Sequence, residues 1–231
     1  MNTALILAGG IGTRLGGNLP KQYIEVCGKP IIGYCLDAFE RNRDVDAIRI
    51  VAEKSWHAFI LKWTGAKFRG FSMPGRSRQL SVFHALEDIR PESADDDLVI
   101  VHDAARPLVT ERLISECIKN CAGHDGVMPA LPLKDTVYAS KDGCRVSGLL
   151  DRDGIYAGQS PEVFRLGIYY EANRRLLPER ILRINGSAEP AVLAGVDIAL
   201  IPGDENNFKI TTGADLEGFR RMCSCRKEGT V

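Results

Sequence analysis

A short apolar run that leads straight into a glycine-rich loop constrains the fold of this 231-residue chain more than any other feature. Residues 4–7 are Ala-Leu-Ile-Leu, which is typical of a buried β-strand, and three of the next five residues are glycines. Glycines let backbone N–H groups approach an anion closely, because no side chain stands between them. Arg14 and Lys21 then add two cations to the same segment. The segment is predicted to bind a nucleoside triphosphate, and a merely flexible turn is the alternative.

Better-known phosphate motifs are absent from the sequence. The dinucleotide fingerprint G-x-G-x-x-G would need a third glycine where Leu15 stands. The P-loop needs Gly-Lys followed by Ser or Thr, whereas Gly28-Lys29 is followed by Pro30. The nucleophile elbow Gly-x-Ser-x-Gly does not occur either. These absences argue against a dinucleotide oxidoreductase, a P-loop enzyme and a covalent hydrolase.

Strand-like apolar runs alternate with helix-like segments along the chain, which predicts a doubly wound, mostly parallel α/β sheet in one domain over residues 1–231. The predicted strands are 4–7, 47–51, 67–72, 98–102, 126–131 and 197–201. The predicted helices are 31–41, 55–64, 78–89, 110–121, 166–176 and 214–223.

One segment breaks this alternation. Residues 135–139 and 145–150 are typical of two short strands, and the Asp142-Gly143 turn between them favours a β-hairpin. An isolated hairpin is marginally stable in water, so we expect a second subunit to cover it. Residues of about 134–152 are therefore predicted to form a dimerisation arm of a homodimer, with a free flap as the alternative.

The charge balance gives no sign of a polyanionic macromolecular partner. Thirty basic and thirty acidic residues cancel, so we expect neither nucleic acid nor a membrane surface as a partner. No apolar run is long enough for a transmembrane helix, and no signal peptide is visible. The seven cysteines lack zinc-finger spacing. Cys117 and Cys121, four residues apart on a predicted helix, are expected to be small buried hydrophobes rather than a metal pair, and a reducing cytoplasm fits the cysteines best.

Two further segments carry charged side chains next to predicted strands. Asp103 and Arg106 follow the fourth strand, at the sheet edge where doubly wound folds bind ligands. Asp103 could hold Mg²⁺ or a ribose hydroxyl, and Arg106 could bind a phosphate; a cap paired with that arginine is the alternative. Lys209 stands between apolar residues, so it needs an anion or solvent. Residues 75–81 could bind a base or phosphate, or could cap a helix.

Six strings closely resemble the bacterial cytidylyltransferases that activate polyol phosphates, in both the 2-C-methyl-D-erythritol 4-phosphate branch and the D-ribitol 5-phosphate branch. The strings lie in order at residues 8–14 (AGGIGTR), 20–23 (PKQY), 102–107 (HDAARP), 134–136 (KDT), 158–161 (GQSP) and 208–212 (FKITT). Each string alone is weak, but together they span most of the chain. The resemblance implies a Rossmann-like, GT-A-like nucleotidyltransferase fold.

The resemblance also implies roles for individual residues. Arg14 and Lys21 would contact the triphosphate of CTP, and Lys209 would complete this cationic clamp. Asp103 would serve CTP and its Mg²⁺. The residues implied around the nucleotide are Ala8, Gly9, Gly10, Gly12, Gly75, Arg78, Ser81 and Asp103. The residues implied for the acceptor are Arg106, Thr136, Arg152 and Ser160, with Thr136 and Arg152 reaching across from the arm of the partner subunit.

The sequence departs from the family pattern where the acceptor is expected. Residues 185–189 are Asn-Gly-Ser-Ala-Glu, whereas the family often shows Thr-Asp followed by Glu, Asp or Ala. Arg76 stands where an acidic residue is common. Gly9 and the segment 155–161 are more similar to the D-ribitol 5-phosphate branch, which makes that polyol the expected acceptor. The alternatives are 2-C-methyl-D-erythritol 4-phosphate as the acceptor and, more distantly, a non-catalytic nucleotide-binding module.

Overall fold

The computed structural model describes residues 1–10 and 19–228, with side chains as far as residue 224. Its strands are β1 (Asn2–Leu7), β2 (Glu25–Val26), β3 (Lys29–Pro30), β4 (Ala47–Val51), β5 (Phe68–Ser72), β6 (Leu98–Asp103), β7 (Gly126–Pro132), β8 (Val137–Ala139), β9 (Gly148–Leu150), β10 (Tyr156–Gly158), β11 (Glu162–Arg165) and β12 (Ile198–Pro202). Its α-helices are α1 (Ile31–Arg41), α2 (Lys54–Ile60), α3 (Arg78–Ile89), α4 (Glu111–Asn120), α5 (Leu166–Arg174), α6 (Glu189–Leu193) and α7 (Gly213–Glu228). Short 3₁₀ helices lie at Lys21–Tyr23, Leu61–Trp63, Arg90–Glu92 and Arg180–Arg183.

The main sheet is mostly parallel, as predicted. Its strands follow the order β12-β7-β11-β6-β1-β4-β5, and β10 pairs with β7 next to β11. Strands β1, β4, β5 and β6 are parallel to one another, and β12 is parallel to β7. The two antiparallel members, β10 and β11, are short. The sequence did not reveal them, because β11 has only four residues and begins with a glutamate after a proline.

Both faces of the sheet are covered by helices, which gives the doubly wound arrangement. In β1, Ala4 and Ile6 pack on one face together with Ile32 and Phe39 of α1. Leu5 points to the opposite face, where it packs with Leu86 of α3. Side chains alternate along a strand, so the fully buried run of β1 serves two cores at once. This is why its sequence is continuously apolar rather than alternating.

The helices match the sequence pattern where that pattern is strongly periodic. Helices α1 and α3 have the predicted bounds, whereas α2 ends at Ile60 and continues as a 3₁₀ turn. Helix α6 was not predicted, because its five residues are too few to show a helical period. Cys117 and Cys121 are buried in the apolar core, which confirms their expected role as small hydrophobes, and Cys35 is buried there too.

The carboxyl ends of three central strands lie side by side. Leu7, the last residue of β1, is in register with Val51 of β4 and with Asp103 of β6. The loops after these strands therefore leave the sheet along one edge. This shared edge brings residues that are distant in sequence to a common site.

The predicted hairpin is confirmed by β8 and β9, with Val137 opposite Leu150 and Ala139 opposite Gly148. Its turn is stabilised by Asp142, whose Oδ1 accepts hydrogen bonds from the Cys144 and Arg145 amides at 2.8 and 2.9 Å. The hairpin pairs with no other strand of the described chain. Within the same residues, no helix is both long and apolar enough to cross a membrane.

Candidate active site

A cleft of about 570 Å³ opens at the carboxyl edge of the central strands. It is formed by the loops that follow β1, β4, β5 and β6, together with the segment after β12. Its lining residues are Leu7, Gly9, Gly10, Lys21, Gln22, Val51, Glu53, Pro74, Gly75, Arg76, Ser77, Arg78, Ser81, Asp103, Ala105 and Lys209. The predicted residues Gly12 and Arg14 lie outside the described residues.

Asp103 is the electrostatic centre of this cleft. Its Oδ1 accepts hydrogen bonds from Arg78 Nη2 at 2.9 Å and from Arg78 Nε at 3.2 Å. Its Oδ2 accepts one from Lys209 Nζ at 2.8 Å. Burial raises the pKa of the Asp103 carboxyl, but the charges of Arg78 and Lys209 outweigh burial and hold this pKa well below its usual range. Asp103 is therefore a carboxylate at any physiological pH, and its ion-pair partners are Arg78 and Lys209 rather than Arg106.

Lys21 and Lys209 line the same cleft, and two hydrogen bonds join the segments that carry them. Lys21 Nζ donates to the Ile210 carbonyl at 2.6 Å, and the Ile210 amide donates to the Ala105 carbonyl at 2.9 Å. The segment that carries Lys209 is thereby fixed against both the N-terminal loop and the loop after β6. Lys209 lies between β12 and α7, outside both elements, and its ammonium group finds the anion that its apolar neighbours require in Asp103.

Gln22 is a site residue that the sequence did not single out. Its Nε2 donates to the carbonyls of Ala8 and Gly10 at 2.6 and 2.7 Å. The Tyr23 hydroxyl donates to the same Ala8 carbonyl at 2.9 Å. These contacts fix the start of the glycine-rich loop. The signal was present in the Pro-Lys-Gln-Tyr string, whose last two residues have this positioning role.

The loop before α3 caps that helix and also lines the cleft. Ser77 caps α3, since its Oγ accepts a hydrogen bond from the Leu80 amide at 3.1 Å. Ser81 Oγ accepts from the Gly75 amide at 2.9 Å and donates to the Ser77 carbonyl at 2.8 Å. Gly75, Ser77 and Ser81 all line the cleft. The cap and the cleft wall are thus one structure.

Arg78 also reaches the unusual segment at residues 185–189. Its Nη1 donates to Ser187 Oγ at 2.5 Å. The buried carboxyl of Glu162 faces the Arg78 guanidinium. Burial raises the pKa of Glu162, while the charge of Arg78 and a hydrogen bond with Ser187 lower it. Neither Ser187 nor Glu162 was predicted as a site residue. Their partners are remote in sequence, so no local pattern marks them.

The predicted acceptor residues lie in three places. Arg106 Nη1 donates to the Asn207 carbonyl at 2.6 Å, and its Nε is buried without a partner among the described atoms. Ser160 is buried beneath Asp103, and its Oγ accepts from the Asp103 amide at 3.1 Å. Thr136 and Arg152 are exposed on the arm and do not line the cleft of their own chain. Arg152 donates there to the Lys134 carbonyl.

The family relationship agrees with this arrangement. The family model described as IspD, 2-C-methyl-D-erythritol 4-phosphate cytidylyltransferase, matches residues 2–219. The chain belongs to this family.

Relatives in two branches of the family are similar over nearly the whole chain. The 2-C-methyl-D-erythritol 4-phosphate cytidylyltransferase of Rubrobacter xylanophilus is 38% identical, over 92% of this chain and 90% of the relative. The ribitol-5-phosphate cytidylyltransferase of Streptococcus agalactiae serotype III is 28% identical, over 100% and 99%. Among solved structures, the 2-C-methyl-D-erythritol 4-phosphate cytidylyltransferase (IspD) of Francisella tularensis has a TM-score of 0.83 at 28% identity, covering 95% of this chain and 98% of that one. The fold and the nucleotidyltransferase class predicted from the sequence are thereby confirmed.

In this cytidylyltransferase, the structure gives a steric reason for a glycine at position 9. A Cβ added to Gly9 would lie 2.6 Å from Pro74 Cβ, which is closer than real Cβ contacts allow. We therefore expect Gly9→Ala to push the loops after β1 and β5 apart and to lower the free energy of unfolding by about 1–3 kcal/mol. Thermal unfolding checks this, at about 2–4 °C per kcal/mol.

Gly218 provides the matched control, because a Cβ there meets no described atom within 4 Å and the residue lies inside α7. Gly218→Ala is expected to raise the melting temperature slightly, since alanine favours the helix. A Gly9→Ala variant that is as stable as the unaltered protein would contradict the steric account.

Proposed function

We propose that this cytidylyltransferase transfers CMP from CTP to the phosphate of a polyol phosphate, with D-ribitol 5-phosphate as the acceptor, and releases pyrophosphate. The observation that carries the proposal is the convergence of Arg78 and Lys209 at one carboxylate, Asp103, in a cleft that Lys21 and the start of the glycine-rich loop also line. This arrangement suits a triphosphate, because several fixed cations surround the place where its charge would lie.

The reaction needs charge compensation more than it needs a base. The second pKa of a phosphate monoester is about 6, so the attacking oxygen is already anionic at neutral pH. This oxygen forms a new bond to the α-phosphorus of CTP while the bond between the α-phosphorus and the bridging oxygen breaks. The electron pair leaves with pyrophosphate. Lys21 and Lys209 would offset the repulsion between the two anions and the charge that develops in the transition state, together with Arg14.

The residues present fit a magnesium ion that is shared with the substrate. Among the described residues, no group of three or more His, Cys, Asp or Glu side chains could hold a metal by itself. A carboxylate has about four lone-pair positions, and Asp103 uses three of them for Arg78 and Lys209. The remaining position on Oδ2 can take Mg²⁺ or one of its waters. One carboxylate plus substrate phosphates is the donor set that Mg²⁺ favours, and the ion would offset triphosphate charge when bound.

The choice of acceptor rests on the sequence and on the segment around Ser187. The string at residues 155–161 and Gly9 support D-ribitol 5-phosphate, as do ribitol-5-phosphate cytidylyltransferases that are similar over the full chain. Ser187 stands in a segment where family members often have an acidic residue, and it accepts a hydrogen bond from Arg78. The second candidate, 2-C-methyl-D-erythritol 4-phosphate, is favoured by the relative that is 38% identical.

Pyrophosphate release measured with CTP, Mg²⁺ and each acceptor in a separate reaction tests the proposal. We expect release with D-ribitol 5-phosphate and little with 2-C-methyl-D-erythritol 4-phosphate. The opposite preference would assign the chain to the second candidate. Nucleotide binding without release in either reaction would contradict both and favour the non-catalytic module.

The two lysines should contribute mainly to turnover. Lys21→Ala and Lys209→Ala are each expected to lower kcat by about 10²–10³, the typical effect of removing one preorganised donor to a transition state. Lys62 is exposed on a 3₁₀ helix away from the cleft, so Lys62→Ala is the matched control and should leave kcat unchanged. Steady-state kinetics at saturating CTP make the comparison. Full turnover in both cleft variants would refute the clamp.

We further propose that the arm completes the active site of a second copy of this chain. Tyr138 and Leu149 of the hairpin are 60% and 67% exposed, which is unusual for large apolar side chains on paired strands. Thr136 and Arg152 lie at the base of the same arm, away from their own cleft. An exchange of arms between two copies would cover the apolar side chains and bring Arg152 to the acceptor phosphate of the partner.

Mixing two inactive variants tests this exchange. Lys21→Ala and Arg152→Ala proteins are each expected to have low activity, and a mixture that exchanges subunits should regain part of it. One site of the mixed dimer then has both Lys21 and the partner subunit's Arg152. Two Lys21→Ala preparations mixed in the same way are the control and should regain nothing. No recovery, despite proven subunit exchange, would mean that Arg152 acts within its own chain.

A further inference from the structure

Three segments that supply the active site meet at the buried residue Ser160. Ser160 Oγ accepts from the Asp103 amide at 3.1 Å and lies 3.2 Å from His102 Nδ1. The Ser160 carbonyl accepts from Asn207 Nδ2 at 2.8 Å, and the Asn207 carbonyl accepts from Arg106 Nη1 at 2.6 Å. The segment after β6, the segment between β10 and β11, and the segment leading to Lys209 are thus joined inside the protein.

The directions of these hydrogen bonds determine the tautomer of His102. Its Nε2 lies 3.2 Å from the Arg106 carbonyl oxygen, and a carbonyl can only accept, so Nε2 carries a proton. The ring is fully buried beside Phe39, where an extra charge would be costly, so His102 is neutral and Nδ1 has no proton. Nδ1 then accepts from the Ser160 hydroxyl, which in turn accepts from the Asp103 amide. Each polar hydrogen in this series of hydrogen bonds, from the Asp103 amide to the Arg106 carbonyl, thus has one acceptor.

We propose that His102 and Ser160 are positioning residues of the transfer reaction, with the two ring nitrogens of His102 separately holding the backbone at Asp103 and at Arg106. This inference rests on the proposed function, because Asp103 is assigned to the CTP side of the cleft and Arg106 to the acceptor phosphate. Neither His102 nor Ser160 lines the cleft. They therefore act through the residues that they hold.

The arrangement connects one imidazole to both residues that are assigned to the substrates. Nδ1 acts on Asp103 through Ser160, whereas Nε2 acts directly on the Arg106 carbonyl, on the far side of the same short turn. Asparagine and glutamine place an amide near the positions of Nδ1 and Nε2, respectively. The two functions of the ring can therefore be removed one at a time.

Two substitutions of His102 should change different kinetic parameters. His102→Gln keeps a donor for the Arg106 carbonyl but loses the acceptor for Ser160, so kcat/KM for CTP should fall about tenfold or more while KM for the acceptor changes little. His102→Asn keeps an acceptor for Ser160 but loses the donor to Arg106, so KM for the polyol phosphate should rise about tenfold or more while KM for CTP changes little. Equal fold-changes in kcat/KM for CTP and in KM for the polyol phosphate, in both variants, would mean that the ring only supports the fold.

Ser160 gives an independent test that leaves the histidine in place. Ser160→Ala should reproduce the kinetic pattern of His102→Gln, because both lose the link to the Asp103 amide. Ser160→Thr keeps the hydroxyl and should restore most of the kcat/KM for CTP that Ser160→Ala loses, because it still accepts from the Asp103 amide and donates to His102. A Ser160→Ala variant that mainly changes KM for the acceptor would overturn the assignment of the two nitrogens.

A readout that does not depend on turnover separates this inference from the proposed function. Nitrogen-15 NMR of the histidine-labelled protein at neutral pH should show His102 with a protonated Nε2 and an unprotonated Nδ1. The His102 resonances are assigned by their absence from a folded His102→Gln or His102→Asn variant. A protonated Nδ1 would overturn the inference even in an active enzyme. Absence of pyrophosphate release with the expected tautomer present would refute the proposed function and, with it, the positioning role, while the hydrogen-bonded network itself would stand.

Discussion

The ion triad of Arg78, Asp103 and Lys209 is the interaction on which the rest of the active site depends. Asp103 belongs to the central sheet, Arg78 to the start of α3, and Lys209 to the segment after β12. Burying a carboxylate is costly unless cations and hydrogen bonds compensate, and here three charge-assisted contacts do so. Loss of either cation would leave a buried charge partly uncompensated. The triad therefore holds three segments that are distant in the sequence together at the cleft.

This centre is positively charged even though it contains a carboxylate. The two cations and one anion of the triad leave one positive charge, and Lys21 adds a second nearby on the cleft wall. The chain as a whole has a formal net charge of zero. Attraction for an anion is thus local, in a partly enclosed cleft where charges interact more strongly than in bulk water. A small anionic substrate would be attracted to this point although the chain as a whole carries no net charge.

The sequence was most informative where local patterns decide the structure. Helices α1 and α3 and strand β4 matched their predicted bounds, because an amphipathic period or a buried apolar run is a local property. The hairpin was found from its Asp142-Gly143 turn for the same reason. Strand β11 was missed because four residues carry too little pattern. Glu162 and Ser187 were missed because only the tertiary structure brings them to Arg78, which lies more than 80 residues away in the chain.

The candidate site shows the same division between residue identity and residue contact. Motif strings identified Lys21, Asp103 and Lys209 as site residues, and the structure places all three on one cleft. The strings could not show that Arg78 rather than Arg106 pairs with Asp103, since both arginines lie in plausible segments. They also placed Ser160 among residues for the acceptor, whereas its side chain is buried and bonded to the backbone of Asp103. Contacts between side chains depend on how helices, strands and loops pack together, so they cannot be predicted from one segment of the sequence.

The contact between Gly9 and Pro74 has a consequence for the shape of the cleft. Both residues line it, and the spacing between their loops is limited by a glycine backbone against a rigid proline ring. Rotation of a side chain cannot widen the cleft at this point, because neither residue has a rotatable side-chain bond there. The gap at this point is thus set by backbone geometry, and no side-chain conformational entropy is lost at these two residues when a ligand binds. Selection by size at this wall would act through rigid geometry rather than through induced closure.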